Sequence, residues 1–332
     1  MFKTFSHELF DYVAQVSKNP ENLTAENIIG TLKSLNKTSV CNHCKAFVQH
    51  QQKMMDSKAV VGAISKTGLE ACKLFMNASV CEGIVGNYVA NVISALSKRL
   101  FRPEITCAKM FLCPHDFHVE TIKQFIKQVL GNSSRVEPPK PTLRSTYKFL
   151  HITDLHVDFS YTVGNNAYCN QPLCCREEDG PVSDPAKGAQ YWGTVAGCDL
   201  PMRTIEQFFQ FVANNLDIDF IIWTGDNIAH NIWEQEKATQ AQNTYEITKA
   251  LQKYLPNTPV YPIFGNHECF PADQCDFYKG ANDWLTGPLA EMWQSWLDEQ
   301  AAESLKTNTY YTMYNKDMNL RLISINTQAC DT

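Results

Sequence analysis

The sequence predicts a mixed two-domain protein, an all-helical, disulfide-linked domain followed by a layered α/β domain. Three observations predict it. Apolar residues recur with a helical period from about Thr24 to Leu130, short apolar runs then alternate with helix-length stretches, and a proline-rich segment lies between. The 332 residues suffice for two cores, and 44% hydrophobic with 19% charged residues is an ordinary globular balance that excludes large-scale disorder.

In the N-terminal part the clearest helical stripe is Cys81, Ile84, Val85, Tyr88, Val89, Val92 and Leu96, and a second runs through Val40, Cys44, Phe47 and Val48. Taken alone, such stripes are more often packed core than a lipid groove. Residues 1–37 read as a lead-in and 38–130 as the helical domain. Residues 131–146, with Pro138, Pro139 and Pro141 among Ser, Lys and Arg, read as a stiff exposed linker. Residues 147–332 form the second domain.

There, Phe149 to Ile152, Phe220 to Trp223, Val260 to Phe264 and Leu320 to Ile325 are short apolar runs that read as buried strands. Arg203 to Asn214, Ala238 to Tyr254 and Asp283 to Ser304 have helical length and composition. Strands interleaved with helices predict the α/β layers.

Charge and targeting signals narrow the function classes. The net charge of -6 divides into +5 over residues 1–130 and -11 over the remainder. A basic N-terminal part suits an anionic membrane surface, and the acidic remainder argues against nucleic acid. No apolar run reaches the roughly 18 to 20 residues of a membrane span. Thirteen cysteines in ordered groups favour an oxidising compartment, as do sequons at Asn22, Asn36, Asn77 and Asn132, which are candidate glycosylation sites. An extracellular or lysosomal location is expected, although Met1 to Pro20 shows no signal-peptide core.

Cys41, Cys44, Cys72, Cys81, Cys107 and Cys113 lie in the helical background, with Cys41 and Cys44 on one helix face. Six cysteines allow 15 pairings, so spacing alone selects none. A redox CxxC or half of a zinc site fits poorly, because neither a βαβ context nor a second close Cys/His pair accompanies the motif. The order and spacing resemble a saposin B-type lipid-binding domain. That resemblance implies nested pairs, Cys41 with Cys113, Cys44 with Cys107 and Cys72 with Cys81, and amphipathic helices that present lipid to an enzyme.

In the second domain the chemistry lies at three strand ends: Asp154-Leu155-His156, Gly225-Asp226-Asn227 and Gly265-Asn266-His267-Glu268. Loops at the carboxyl ends of strands in an open α/β sheet converge on one crevice. Asp, His and Asn offer oxygen and imidazole ligands suited to zinc or manganese, and a carboxylate can bridge two ions. Any one motif is common in turns; together, in this order, they resemble the calcineurin-like metallophosphoesterases. The stretch Asp226-Asn-Ile-Ala-His230-Asn-Ile-Trp233 narrows the resemblance to acid sphingomyelinase-like phosphodiesterases, over about residues 38 to 330.

The resemblance implies two zinc ions, with manganese as an alternative. It makes Asp154 and His156 ligands of the first, Asp226 the bridge and Asn266 a ligand of the second. It makes His267 the general acid at the leaving oxygen and His230 the residue that positions phosphate, while His151 and Glu268 read as supporting residues. It also implies the pairs Cys169 with Cys174 and Cys175 with Cys198. Proximity suggests Cys269 with Cys275, leaving Cys330 over. The family pattern continues with Gly-His and Gly-His-x-His segments, yet none of the nine histidines follows His267. The chain is therefore expected to be a C-terminally truncated fragment, inactive by itself.

The leading expectation is a phosphodiesterase that cleaves sphingomyelin to ceramide and phosphocholine at a membrane surface. The alternatives are a secreted nucleotide phosphodiesterase of the same fold and a non-catalytic lipid-binding protein.

Overall fold

The computed structural model describes residues 37–110, 112–113, 127–129, 131, 146–277 and 280–330. The lead-in, most of the linker, and the sequons at Asn22, Asn36 and Asn132 lie outside them. Backbone contacts divide the chain into two units, Met1–Gly68 with Tyr88–Pro141, and Leu69–Asn87 with Thr142–Thr332.

The N-terminal part is helical where described: α1 (Lys37–Met55), α2 (Lys58–Cys72), α3 (Ala78–Leu100) and α4 (Pro103–Lys109). Pro103 begins α4, where its missing N–H has no intrahelical partner to lose. One-turn spacing brings Cys41 and Cys44 to one face of α1, and they bond Cys113 and Cys107. Cys72 at the end of α2 bonds Cys81 in α3. These are the pairs that the saposin resemblance implies. The packed-core reading of the apolar stripes does not hold throughout. Val48 is buried, but Phe47, Val92 and Leu96 are about half exposed, and α2 buries no residue. Among the described residues no helix is long and apolar enough to cross a membrane.

The second unit is built on a parallel sheet, β1 (Phe149–Ile152), β2 (Phe220–Trp223) and β3 (Val260–Pro262), in that spatial order. Ile152 pairs with Trp223, and Trp223 with Pro262, so the three strands end level with one another. The intervening chain supplies α5 (Met202–Asn215) and α6 (Lys237–Tyr254). Ile205, Phe209 and Val212 of α5, and Ile247 and Leu251 of α6, join Ile221, Trp223 and Val260 in one core. Helical spacing puts each set on one face of its helix.

Three expectations need correction. Asp283 to Ser304 is not one helix: α7 (Asp283–Met292) stops before Trp293, and Asp298 starts α8 (Glu299–Asn308) by accepting the Ala301 N–H at 2.8 Å. The Leu320 run does not join the parallel sheet. It forms β5 (Leu320–Ser324), antiparallel to β4 (Tyr311–Asn315), which the sequence reading missed. Finally, β2 and β3 are buried strands, whereas β1 and β5 alternate in burial.

Candidate metal centre

Level strand ends place the three motif loops side by side. The β1 loop is laced to the β2 loop by backbone bonds: Asp154 N–H to Gly225 carbonyl (3.0 Å), His156 N–H to Asp226 carbonyl (3.1 Å) and Val157 N–H to Asn227 carbonyl (2.8 Å). This lacing forces Asp154, His156 and Asp226 to positive φ (53°, 39° and 55°), a region that non-glycine residues seldom adopt and that functional sites collect. The β2 and β3 loops touch at Gly225 and Gly265. A Cβ on Gly225 would collide with the Gly265 backbone, and one on Gly265 with the Asp226 carboxylate. Glycine is required at both for the loops to close.

Glu268 pins this junction from beneath. It is fully buried, and its carboxylate accepts the backbone N–H groups of Asp226 (3.0 Å), Asn227 (2.6 Å) and Gly265 (2.6 Å). Burial pushes its pKa up to about 7, while the three N–H bonds hold it back. Gln240 on α6 steadies the same loop by donating to the carbonyls of His267 and Cys269.

Asp154, His156 and Asp226 thereby offer ligand atoms within 4.8 Å of one another, and so do His156, His230 and His267. His156 donates from Nδ1 to the Ile228 carbonyl at 2.8 Å, which leaves Nε2 as the ligand atom. Carboxylate and imidazole donors fit a divalent ion. A third group, Cys169, Cys174 and Asp179, does not, because its two sulfurs are bonded to each other.

Three imidazoles line the crevice. His156 stacks on His230 with ring centres 4.0 Å apart, and His267 stands edge-on to both at 4.7 and 4.8 Å. The hydrogen bond to Asp199 raises the pKa of His230. Burial lowers that of His267, helped by His156 beside it. The two shifts run in opposite directions and favour charge on His230 over His267. The buried His267 Nδ1 has no hydrogen-bond partner among the described residues. Asn266 is fixed by donating its amide to Asp273 at 2.5 Å. His151 is apart from this group and bonds Thr224 Oγ1 at 2.9 Å.

The remaining cysteines pair as Cys169–Cys174, Cys175–Cys198 and Cys269–Cys275. Asn77 is exposed just before α3. Sequence reasoning missed Asp199, Asp273 and Arg176. Asp199 binds His230, Asp273 binds Asn266, and the buried Arg176 forms an ion cluster with buried Asp158 and partly exposed Glu234. The one local hint was the position of Arg176 and Asp199, each directly after a cysteine of one disulfide.

Comparison with known proteins bears on this geometry. Residues 147–329 match the profile of the calcineurin-like phosphoesterase family. The chain is 35% identical to "Sphingomyelin phosphodiesterase B" of Dictyostelium discoideum over 301 residues, 88% of this chain and 46% of that protein. It is 31% identical to "Sphingomyelin phosphodiesterase" of Bos taurus, over 87% of this chain and 48% of the relative. A Bos taurus "Cyclic GMP-AMP phosphodiesterase" is 31% identical over 57% of this chain and 40% of its own length. The chain thus spans about half the length of the sphingomyelin phosphodiesterases it matches.

Proposed function

The chain belongs to the calcineurin-like phosphoesterases, and from that premise we propose that it is part of a sphingomyelin phosphodiesterase, hydrolysing the phosphodiester to ceramide and phosphocholine. The observation that carries the reading is the meeting of Asp154 and His156 from the end of β1, Asp226 and His230 from the end of β2, and His267 from the end of β3, three strand ends that lie level. The sphingomyelin relatives match over most of the chain, helical part included, whereas the cyclic dinucleotide relative matches little more than half. This favours the lipid over the nucleotide.

In this reading Asp154 and His156 hold one divalent ion, Asp226 is shared, and Asn266 serves a second; zinc suits the mixed oxygen and nitrogen set. Bound ions of this kind supply an activated water and neutralise phosphate charge. His230, whose pKa is raised by its bond to Asp199, holds the phosphate oxygens. His267 delivers the proton to the departing alkoxide. Its lowered pKa makes it a ready donor once an anionic phosphodiester beside it favours protonation.

The helical part is assigned as the saposin B-type, membrane-facing module. Its nested disulfides and the outward apolar residues Phe47, Val92 and Leu96 support that assignment. Six disulfides among the described residues support a secreted or lysosomal setting, in which the sequons would carry glycans.

The test is zinc-supplied turnover of sphingomyelin vesicles beside cyclic GMP-AMP, on protein spanning the length of the relatives. Phosphocholine release with the dinucleotide intact is expected; the opposite pattern would sink the lipid reading. The 332-residue chain alone is expected to turn over little, since Asp154, His156, Asp226 and Asn266 are few ligands for two ions.

A further inference from the structure

We propose that Arg176 and Asp199 are paired positioning residues that clamp the His230–Glu234 segment at both ends, with the Cys175–Cys198 disulfide fixing the spacing of the clamp. The inference rests on the phosphodiesterase reading only for what His230 does, not for how it is held.

Disulfide bonding brings residues 23 apart in sequence together, so that the residues that follow the two sulfurs leave from one point. The first of them, Arg176, reaches Glu234 with a terminal guanidinium nitrogen. The second, Asp199, takes His230 twice, accepting its backbone N–H at 2.7 Å and its Nδ1–H at 2.9 Å. A carboxylate is acceptor-only, so Nδ1 carries the proton and Nε2 is the opposite edge of the ring. Main chain and ring are held by one group, which fixes the rotation of the imidazole against His156.

Between the two grips the segment folds on itself. Ile232 N–H bonds the His230 carbonyl at 2.8 Å, Glu234 N–H the Asn231 carbonyl at 3.1 Å, and Asn231 donates its amide to Glu234 at 2.9 Å. Movement at Glu234 is therefore passed to His230.

The clamp is itself anchored. The Arg176 side chain is buried, lies 3.3 Å from Asp158 through Nε and 3.3 Å from Glu178. Its backbone N–H bonds Asp179 at 2.9 Å and its carbonyl accepts from Asn165 at 2.9 Å. Asp158 lies two residues beyond His156, and Leu200, next to Asp199, bridges to this segment: Asp158 N–H bonds the Leu200 carbonyl at 2.8 Å, and Leu200 N–H the His156 carbonyl at 3.3 Å. One loop thus references His230 to His156 from both directions. Burying a guanidinium among three carboxylates is a costly way to gain stability and an effective way to fix geometry.

The experiment uses the full chain labelled with 15N at histidine, read by long-range 1H–15N correlation and without substrate. His230 is assigned by loss of its signals in His230→Gln. In the unaltered chain it should give one set of signals, protonated at Nδ1, with a downfield hydrogen-bonded proton. Asp199→Asn should shift or broaden that signal directly. The deciding variant is Glu234→Gln, remote from the ring and 40% exposed, hence tolerant of substitution; it should broaden or split the His230 set while His43 and His50 keep theirs. Arg176→Lys should do the same, because one ammonium cannot replace the guanidinium fork. An unaltered His230 signal in Glu234→Gln overturns the clamp, even if Arg176→Lys fails to fold. Because no turnover is measured, this outcome is separate from failure of sphingomyelin hydrolysis.

Discussion

Glutamine at position 268 keeps the size of the native side chain but loses one of its two acceptor oxygens, and the structure indicates what that costs. Glu268 Oε2 accepts from Asp226 and Gly265, and Oε1 from Asn227, all in a site closed to water. An amide can satisfy one side only; its NH2 then faces at least one N–H, and a buried donor left without a partner costs about 1–3 kcal/mol. With one or two such donors, and some relief from no longer burying a charge, Glu268→Gln should destabilise by about 2–4 kcal/mol. For a unit of this size that lowers Tm by roughly 5–15 °C. Linkage adds a second signature in metal-stripped protein. The folded-state pKa of about 7 lies above the usual 4.5, so the folded form binds the proton more tightly. The contribution is fully present below pH 4.5 and lost as pH rises through 7, at most about 3 kcal/mol. Unfolding followed by circular dichroism across this range should show that slope in the native chain and not in the variant. A variant with native Tm and native pH slope would refute the account of Glu268 as the pin.

Asp226→Ala should abolish retention of zinc after dialysis, measured by elemental analysis, because it removes one of the three groups whose ligand atoms lie together. Gly265→Ala should unfold the crevice or cost about 2–4 kcal/mol in chemical denaturation, since its Cβ meets the Asp226 carboxylate and backbone; a native midpoint would contradict the close approach. Vesicles containing anionic lipid should sediment the chain, and replacing exposed Phe47 and Val92 by Ser should weaken this at least several-fold, each buried aromatic or branched side chain being worth about 1.5–3 kcal/mol.

The parts of the fold legible in the sequence were those written locally. β1, β2 and their polar exits are contiguous runs, and Asp154-Leu155-His156, Gly225-Asp226-Asn227 and Gly265-Asn266-His267-Glu268, each common in turns by itself, become legible through their order along the chain. The break at Trp293 to Asp298 was hidden because helix-forming residues surround a single capping aspartate. The β4–β5 hairpin was hidden because Tyr311 is anchored from far away, its hydroxyl donating to the Pro262 carbonyl at 2.9 Å. Asp199 and Arg176 were invisible for a related reason: the loop that carries them has no period, and its partners are 31 and 58 residues away. Electrostatics were no more legible. Equal-looking histidines, His230 and His267, receive opposite shifts from one carboxylate and from depth of burial.

The left-handed backbone at Asp154, His156 and Asp226 also says how this lineage can and cannot drift. Glycine would relax each of those positions, since without a Cβ it takes φ near +50° at no steric cost. A population selected only for heat resistance should therefore accumulate such replacements at the three positions where they do most harm to ligand chemistry. Survival of aspartate and histidine there under laboratory evolution would be a record of selection on hydrolysis, and their early loss in a relaxed lineage would mark the moment when catalysis stopped mattering.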